Sequence, residues 1–159
     1  MVNLRIIAVG KLKERYLADG CAEYIKRMGL YCRAQIVELD ECRLPERPSE
    51  AQIATALSQE GQKILQKAQG TTIVALCVEG RQMSSPELSR YLTRAGVEGA
   101  NTVSFVIGSS FGLDESVKRA AALRLSMSEM TFPHQLARLV LCEQLYRACT
   151  IEAGGKYHK

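Results

Sequence analysis

The chain has 159 residues, 47% hydrophobic and 24% charged, which fits one soluble domain with enough material for a core. No apolar run is long enough to span a bilayer, and six cysteines without a Cys-x-x-Cys pair argue against a zinc site. The net charge of +4 is a mild bias towards a polyanion such as RNA, which an ordinary basic surface explains at least as well, while the absence of Trp and the presence of only three Phe leave little for a base-stacking platform.

Leu4 to Val9 is apolar and β-branched, ends at Gly10, and is predicted as a strand. Nothing at this terminus has the basic-then-apolar pattern of an export signal, so a cytoplasmic protein is expected, and no disulfide is assigned. Lys11 to Arg15 is a basic turn into a helix with Leu17, Cys21, Tyr24, Ile25 and Met28 at helical spacing, capped by Gly29. Ala34 to Leu39 is a second strand, followed by a polar loop from Asp40 to Pro48. Ser49 and Gln52 form a capping box for a helix through Lys67, stopped by Gly70. Thr71 to Val78 is a continuous apolar strand, with Glu79 to Gln82 as its exit loop. Ser84, Pro86 and Glu87 start the next helix. Thr102 to Ile107 is another buried strand, and Gly108-Ser-Ser-Phe-Gly112 is its exit loop. Asp114 caps a short helix over Glu115 to Ala121.

The stretch from Leu125 to Leu136 draws the most signals. A short apolar segment, Ala120 to Leu125, runs into Ser-Met-Ser-Glu-Met-Thr-Phe, and Pro133 is expected at the first position of a long apolar helix through Ala148. Gly155 to Lys159 then reads as a flexible tail. Alternating strands and helices predict an α/β fold with a mainly parallel sheet flanked by helices, as a single domain over residues 1–159.

Three loops leave strand C-terminal ends: Val78 to Arg81, Gly108 to Gly112, and Ser126 to Phe132. In a parallel sheet these share one edge, the usual ligand crevice. Gly108 to Gly112 is neither a Walker loop nor a dinucleotide fingerprint, and alone it reads equally well as a tight turn. His134 suits a hydrogen bond near a helix terminus, and no nucleophile elbow accompanies it. Glu143 and Arg147 stand four apart, which an ordinary helical ion pair explains as readily as a site does. Cys77, Cys142 and Cys149 sit in apolar segments as small core residues.

These residues together resemble a known family over the whole chain, the bacterial 23S rRNA (pseudouridine-N3)-methyltransferases, the small members of the SPOUT class. The resemblance rests on Ala8-Val-Gly-Lys-Leu-Lys13, Glu60-Gly-Gln62, Phe105-Val-Ile-Gly108 with Gly112-Leu113, Leu125 to His134, Leu145-Tyr-Arg-Ala148 and Tyr157-His-Lys159. It implies a C-terminal trefoil knot that binds S-adenosylmethionine, with no metal and no membrane association. It also implies a homodimer whose partner tail completes the site, and as substrate a pseudouridine in helix 69 of 23S rRNA, methylated at N3 on the assembled ribosome. By position the resemblance implies a cofactor site at Leu76, Gly108, Met127, Ser128, Glu129, Met130, Thr131 and Phe132, and catalytic roles for Arg147 and His158. The family usually has Ile-Gly-Gly where this chain has Ile107-Gly108-Ser109. If that position needed a positive φ, Ser109 would be strained by roughly 1 kcal/mol. The alternative that this departure suggests is a knotted RNA-binding module with weakened or lost catalysis. An α/β protein binding a nucleotide phosphate at Gly108 to Gly112 is a further alternative, which lacks the lysine it would want.

Overall fold

The structure, a computed structural model, describes residues 1–159. Five strands form one parallel sheet: β1 (Asn3–Val9), β2 (Ala34–Leu39), β3 (Thr72–Gln82), β4 (Thr102–Ile107) and β5 (Leu123–Ser126). Their order is β2-β1-β4-β3-β5. Helices α1 (Arg15–Met28), α2 (Glu50–Lys67), α3 (Ser85–Val97), α4 (Glu115–Ala120) and α5 (His134–Glu152) cover both faces. This is the predicted α/β architecture, a parallel sheet flanked by helices.

Alternation along the strands divides the core. Leu4, Ile6, Ala8, Val74, Val103 and Phe105 turn to the larger cluster, which α5 joins through Leu141, Cys142, Leu145, Ala148 and Cys149. Ile7, Val9, Ala75 and Val106 turn to the smaller cluster, with Ile64 of α2 and Val117 of α4. Each fully buried side chain of this size contributes about 1.5–3 kcal/mol. The central strand carries one buried polar side chain, Ser104, and its hydroxyl is satisfied by Thr71 Oγ1 at 2.8 Å. Both predicted capping boxes form. Ser49 Oγ accepts from Gln52 N at 3.1 Å and Gln52 Oε1 accepts from Ser49 N at 2.8 Å. Ser84 and Glu87 make the same reciprocal pair.

Several expectations need correction. The expected exit loop Glu79 to Gln82 is the end of β3, because Arg81 and Gln82 pair with Leu125 and Ser126 of β5. Leu125 therefore pairs twice, with Leu76 and again with Arg81, and residues 77–80 make a detour round it. Gly80 permits the crossing, since a Cβ there would lie 2.7 Å from the Arg124 carbonyl. Pro133 is the N-cap of α5 rather than its first helical residue, with ψ at 137°. The helix runs past Ala148 to Glu152, and Gly155 N donates to Thr150 O to close it. Cys142 and Cys149 are core residues as expected, but Cys77 is only half-buried. All six cysteines are free.

Arg138 shows why α5 sits where it does. It is 1% exposed, yet charged. Its Nη1 donates to Glu38 Oε2 on β2 and its Nη2 to Gly10 O at 2.9 Å, so one guanidinium ties α5 to the ends of β1 and β2.

Glu60 of α2 is also buried, 4% exposed, and its Oε2 accepts from Cys42 N at 3.0 Å to hold the loop after β2. Burial pushes its carboxyl above the ordinary carboxylate range. A raised folded value means that its contribution to stability is full below the unfolded value and is lost as pH rises through the folded one. Glu60→Gln keeps an oxygen for Cys42 N and cannot ionise. The Tm of this variant relative to wild type is therefore expected to be higher at about pH 8 than at about pH 4. A difference that is flat with pH in thermal melts would show that Glu60 has no such penalty.

Candidate active site

The three loops expected at one sheet edge do meet there. Around a cavity of about 570 Å³ lie Leu76 to Glu79 from β3, Ile107 to Ser110 with Gly112 and Leu113 after β4, and Ser126 to Ser128 with Met130 to His134 after β5. Lys118 of α4 and Ala137 of α5 complete the wall. The volume lies within the range of roughly 300–1,000 Å³ seen for small-molecule sites.

Local chemistry shapes each wall. Gly108 is required by space, since a Cβ there would sit 2.2 Å from Gly112 O. Gly112 takes the left-handed turn at φ +91°. Ser109 does not have a positive φ, because no residue other than glycine does. The strain expected of Ser109 is therefore absent. Its hydroxyl instead accepts from Phe111 N at 3.4 Å within the turn. The third loop is braced internally, with Ser126 Oγ donating to Ser128 O and Met130 N donating to Ser128 Oγ, both at 3.0 Å. Lys118 Nζ meets Glu79 Oε1 at 2.6 Å. That hydrogen bond lowers the Glu79 carboxyl and raises the Lys118 amine, so both stay charged at the rim. Apolar walls, backbone polar groups in tight loops and one ion pair suit a flat heteroaromatic ring carrying a charged arm.

Seven of the eight residues proposed for the cofactor line this cavity: Leu76, Gly108, Met127, Ser128, Met130, Thr131 and Phe132. Glu129 does not; its side chain is exposed to solvent. The residue types gave no signal for Lys118 or Cys77, which reach the cavity only because α4 and β3 fold beside it. No group of three or more His, Cys, Asp or Glu side chains is placed to hold a metal ion.

Arg147 and His158 stand elsewhere. Neither lines the cavity, and Arg147 lies ten positions along α5 from Ala137 at its wall, about 15 Å at 1.5 Å per residue. Both the helical ion pair and the tail contact exist. Arg147 Nε donates to Glu143 Oε1 at 3.0 Å, and Arg147 Nη1 lies 3.4 Å from His158 Nδ1. The tail is not frayed. Tyr157 OH donates to Glu143 Oε1 at 3.0 Å, its ring lies under the Arg147 guanidinium at 4.7 Å, and it packs edge-on against Tyr146 at 4.8 Å. Burial, together with hydrogen bonds to Tyr24 and Glu143, pushes the Tyr157 hydroxyl up to about 12, so it remains a donor. The Glu143 contact likewise raises Arg147.

The chain matches the family model described as "Predicted SPOUT methyltransferase" over residues 2–158. It is 46% identical over 159 residues to a Bacillus cereus (strain B4264) protein named "Ribosomal RNA large subunit methyltransferase H", covering 99% of this chain and 100% of that one. A Leuconostoc mesenteroides protein of the same name is 44% identical, with the same coverage. A solved structure of a probable methyltransferase from Bordetella pertussis Tohama I has a TM-score of 0.60 at 16% identity, covering 93% of this chain and 95% of that one. The tRNA (m1G37) methyltransferase from Aquifex aeolicus has a TM-score of 0.56 at 11% identity, covering 91% of this chain and 69% of that one. At such low identities these two show a shared fold. With its parallel sheet, its three-loop cavity and a family match over nearly its whole length, the chain belongs to the SPOUT methyltransferase family.

Proposed function

We propose that this methyltransferase acts on N3 of a pseudouridine in helix 69 of 23S rRNA, on the assembled ribosome in the cytoplasm, with S-adenosylmethionine as methyl donor. It works as one domain over residues 1–159, knotted where β5 and α5 pass the β3 detour, and as a homodimer. The observation that carries this reading is the cavity enclosed by the Ser126 to His134 loop, in a chain 44–46% identical to proteins named for large-subunit rRNA methylation.

The cavity residues fit the cofactor. Leu76, Met127, Met130 and Phe132 supply apolar walls for an adenine, and Gly108 lets the backbone approach it. When bound, the cofactor supplies an electrophilic methyl group on a sulfonium. Glu129 faces solvent and drops out of direct contact in this reading.

Distance and surface support a dimer. Arg147 lies well along α5 from the cavity wall and His158 is held beside it by the returning tail, so in this reading both serve a partner's cavity. Val78, Phe111, Met130 and Leu136, at or beside the cavity rim, are 40–77% exposed. Such an apolar rim is what a second copy would cover.

The RNA nitrogen must lose its N3 proton to attack. Arg147 cannot accept a hydrogen bond, so in this reading its contact with His158 Nδ1 goes with the neutral tautomer that carries its proton on Nε2. Held this way, His158 donates to a carbonyl oxygen of the base; released from Arg147, its Nδ1 takes the N3 proton. Arg147 stabilises the developing oxyanion or holds a phosphate. The rival reading, a binding module without catalysis, took its motive from strain at Ser109, and that strain is absent.

Ribosomes carrying or lacking pseudouridine in helix 69 test this directly. Wild type is expected to transfer labelled methyl only to the pseudouridine-bearing ribosomes. His158→Ala should slow single turnover about 100-fold without changing cofactor affinity. Equal labelling of both ribosomes would defeat the substrate assignment, and normal rates for His158→Ala and for a truncation after Gly155 would remove the tail from the mechanism.

A further inference from the structure

The segment between β1 and α1 reads Lys11-Leu-Lys-Glu-Arg-Tyr16, and neither the cavity nor the tail uses it. Lys11, Lys13, Arg15 and Tyr16 are all exposed, Tyr16 by 70%. Lys11 and Lys13 have no acidic partner, and Glu14 is the one acid in the segment. Arg15 has only a loose contact with Asp19 at 3.7 Å, with both side chains in solvent. A pair of that kind contributes little and leaves the guanidinium free. A cation in the first turn also opposes the α1 dipole, so these charges do not serve the helix.

The backbone beneath these charges is held at two points, both from the start of α5. Arg138 Nη2 binds Gly10 O at 2.9 Å, and Lys13 N donates to Gln135 Oε1 at 3.3 Å. Gln135 directly follows His134, which lines the cavity. The segment is thus a braced, cationic ledge beside the cavity wall, with an aromatic ring standing out from it. Exposed cations on a braced backbone next to a ring match a polyanion whose bases can be unstacked. A protein partner would want acidic groups and apolar cover instead.

We infer that Lys11 to Tyr16 is an RNA-docking ledge, with Lys11, Lys13 and Arg15 on phosphates flanking the target nucleotide and Tyr16 stacked on an unpaired base. This rests on the reading that the substrate is RNA and adds where the strand enters the site.

The test uses the full chain with ribosomes, comparing wild type with the triple variant Lys11→Ala/Lys13→Ala/Arg15→Ala, and with Tyr16→Ala and Tyr16→Phe. For the triple variant the KM for ribosomes should rise about tenfold or more. The slope of log binding constant against log salt should fall by about 2–3, because up to three phosphate contacts are lost. Tyr16→Ala should weaken ribosome binding roughly tenfold, and Tyr16→Phe should restore it, because the ring and not the hydroxyl stacks. Cofactor affinity should stay at the wild-type value throughout, showing an intact fold. A triple variant with wild-type KM and salt slope, on ribosomes that wild type labels normally, overturns the ledge and leaves the proposed function standing. A triple variant that loses cofactor affinity in parallel also overturns it. A wild type that neither binds nor labels ribosomes instead overturns the proposed function.

Discussion

Glu38→Ala is expected to destabilise the fold by about 3 kcal/mol, although Glu38 is the more exposed partner of its ion pair. The mutation deletes little packing. Its cost comes from what it leaves behind, the Arg138 guanidinium with a side chain 2% exposed and now without a counter-charge. The Nε of Arg138 already has no hydrogen-bond partner, so the neutral Gly10 carbonyl would be the one hydrogen-bond acceptor left to the guanidinium. For a chain of this length the loss should lower Tm by roughly 6–12 °C. The double variant Glu38→Ala/Arg138→Met should recover part of it, because a neutral side chain no longer needs an anion. Melting curves that place Glu38→Ala within about 0.5 kcal/mol of wild type would mean that water reaches Arg138 and that the pair is ornamental.

Gly108→Ala should weaken S-adenosylmethionine binding at least 100-fold while leaving the global fold largely intact. The added Cβ would sit 2.2 Å from Gly112 O and 2.6 Å from Gly112 C, so the turn must open. Ser110, Phe111 and Gly112 are exposed, so the turn can swing outwards without disturbing the core. That movement displaces a wall of the cavity, and a displaced wall costs affinity before it costs stability. Ser109→Gly supplies the contrast. It restores the residue usual in the family, yet Ser109 carries no positive φ to relieve, so affinity should change by less than about twofold. Calorimetric titration of both variants decides the matter, and it fails the argument if Gly108→Ala binds as wild type does or if Ser109→Gly gains tenfold.

What the amino-acid sequence announced was local. Ser49 with Gln52, and Ser84 with Glu87, signal helix starts through atoms three residues apart, and both boxes form. The run Thr102 to Ile107 is mostly apolar because both its faces are covered, and it is a strand over those residues. The three loops at one sheet edge follow from a parallel sheet, so the cavity was legible in outline. What stayed hidden depends on distant partners. Glu79-Gly-Arg-Gln82 is polar and reads as a turn, and it becomes strand only because β5 lies beside it. Arg138 looks misplaced in an apolar helix, since its partners Glu38 and Gly10 are 100 and 128 residues away. Gly155 to Lys159 reads as a flexible tail, but Gly154 and Gly155 close α5, and the Tyr157 ring then finds Tyr146. The gap between Arg147 and the cavity is a fact about the direction of α5 that residue types do not encode.

The double pairing of Leu125 with Leu76 and Arg81 also constrains how the chain reaches this state. Contacts that join residues 76 and 125 require a long loop to close before they repay its entropy. Strand β5 has a place only after β3 has taken its bent path, and the loop from Ser126 to His134 has a place only after β5. The cavity is therefore expected to be absent from any partly ordered species that holds only β1, β2 and their helices. Chains in which β5 is displaced are expected to lose cofactor binding, while activity needs in addition α5, the tail and the partner copy of the proposed dimer.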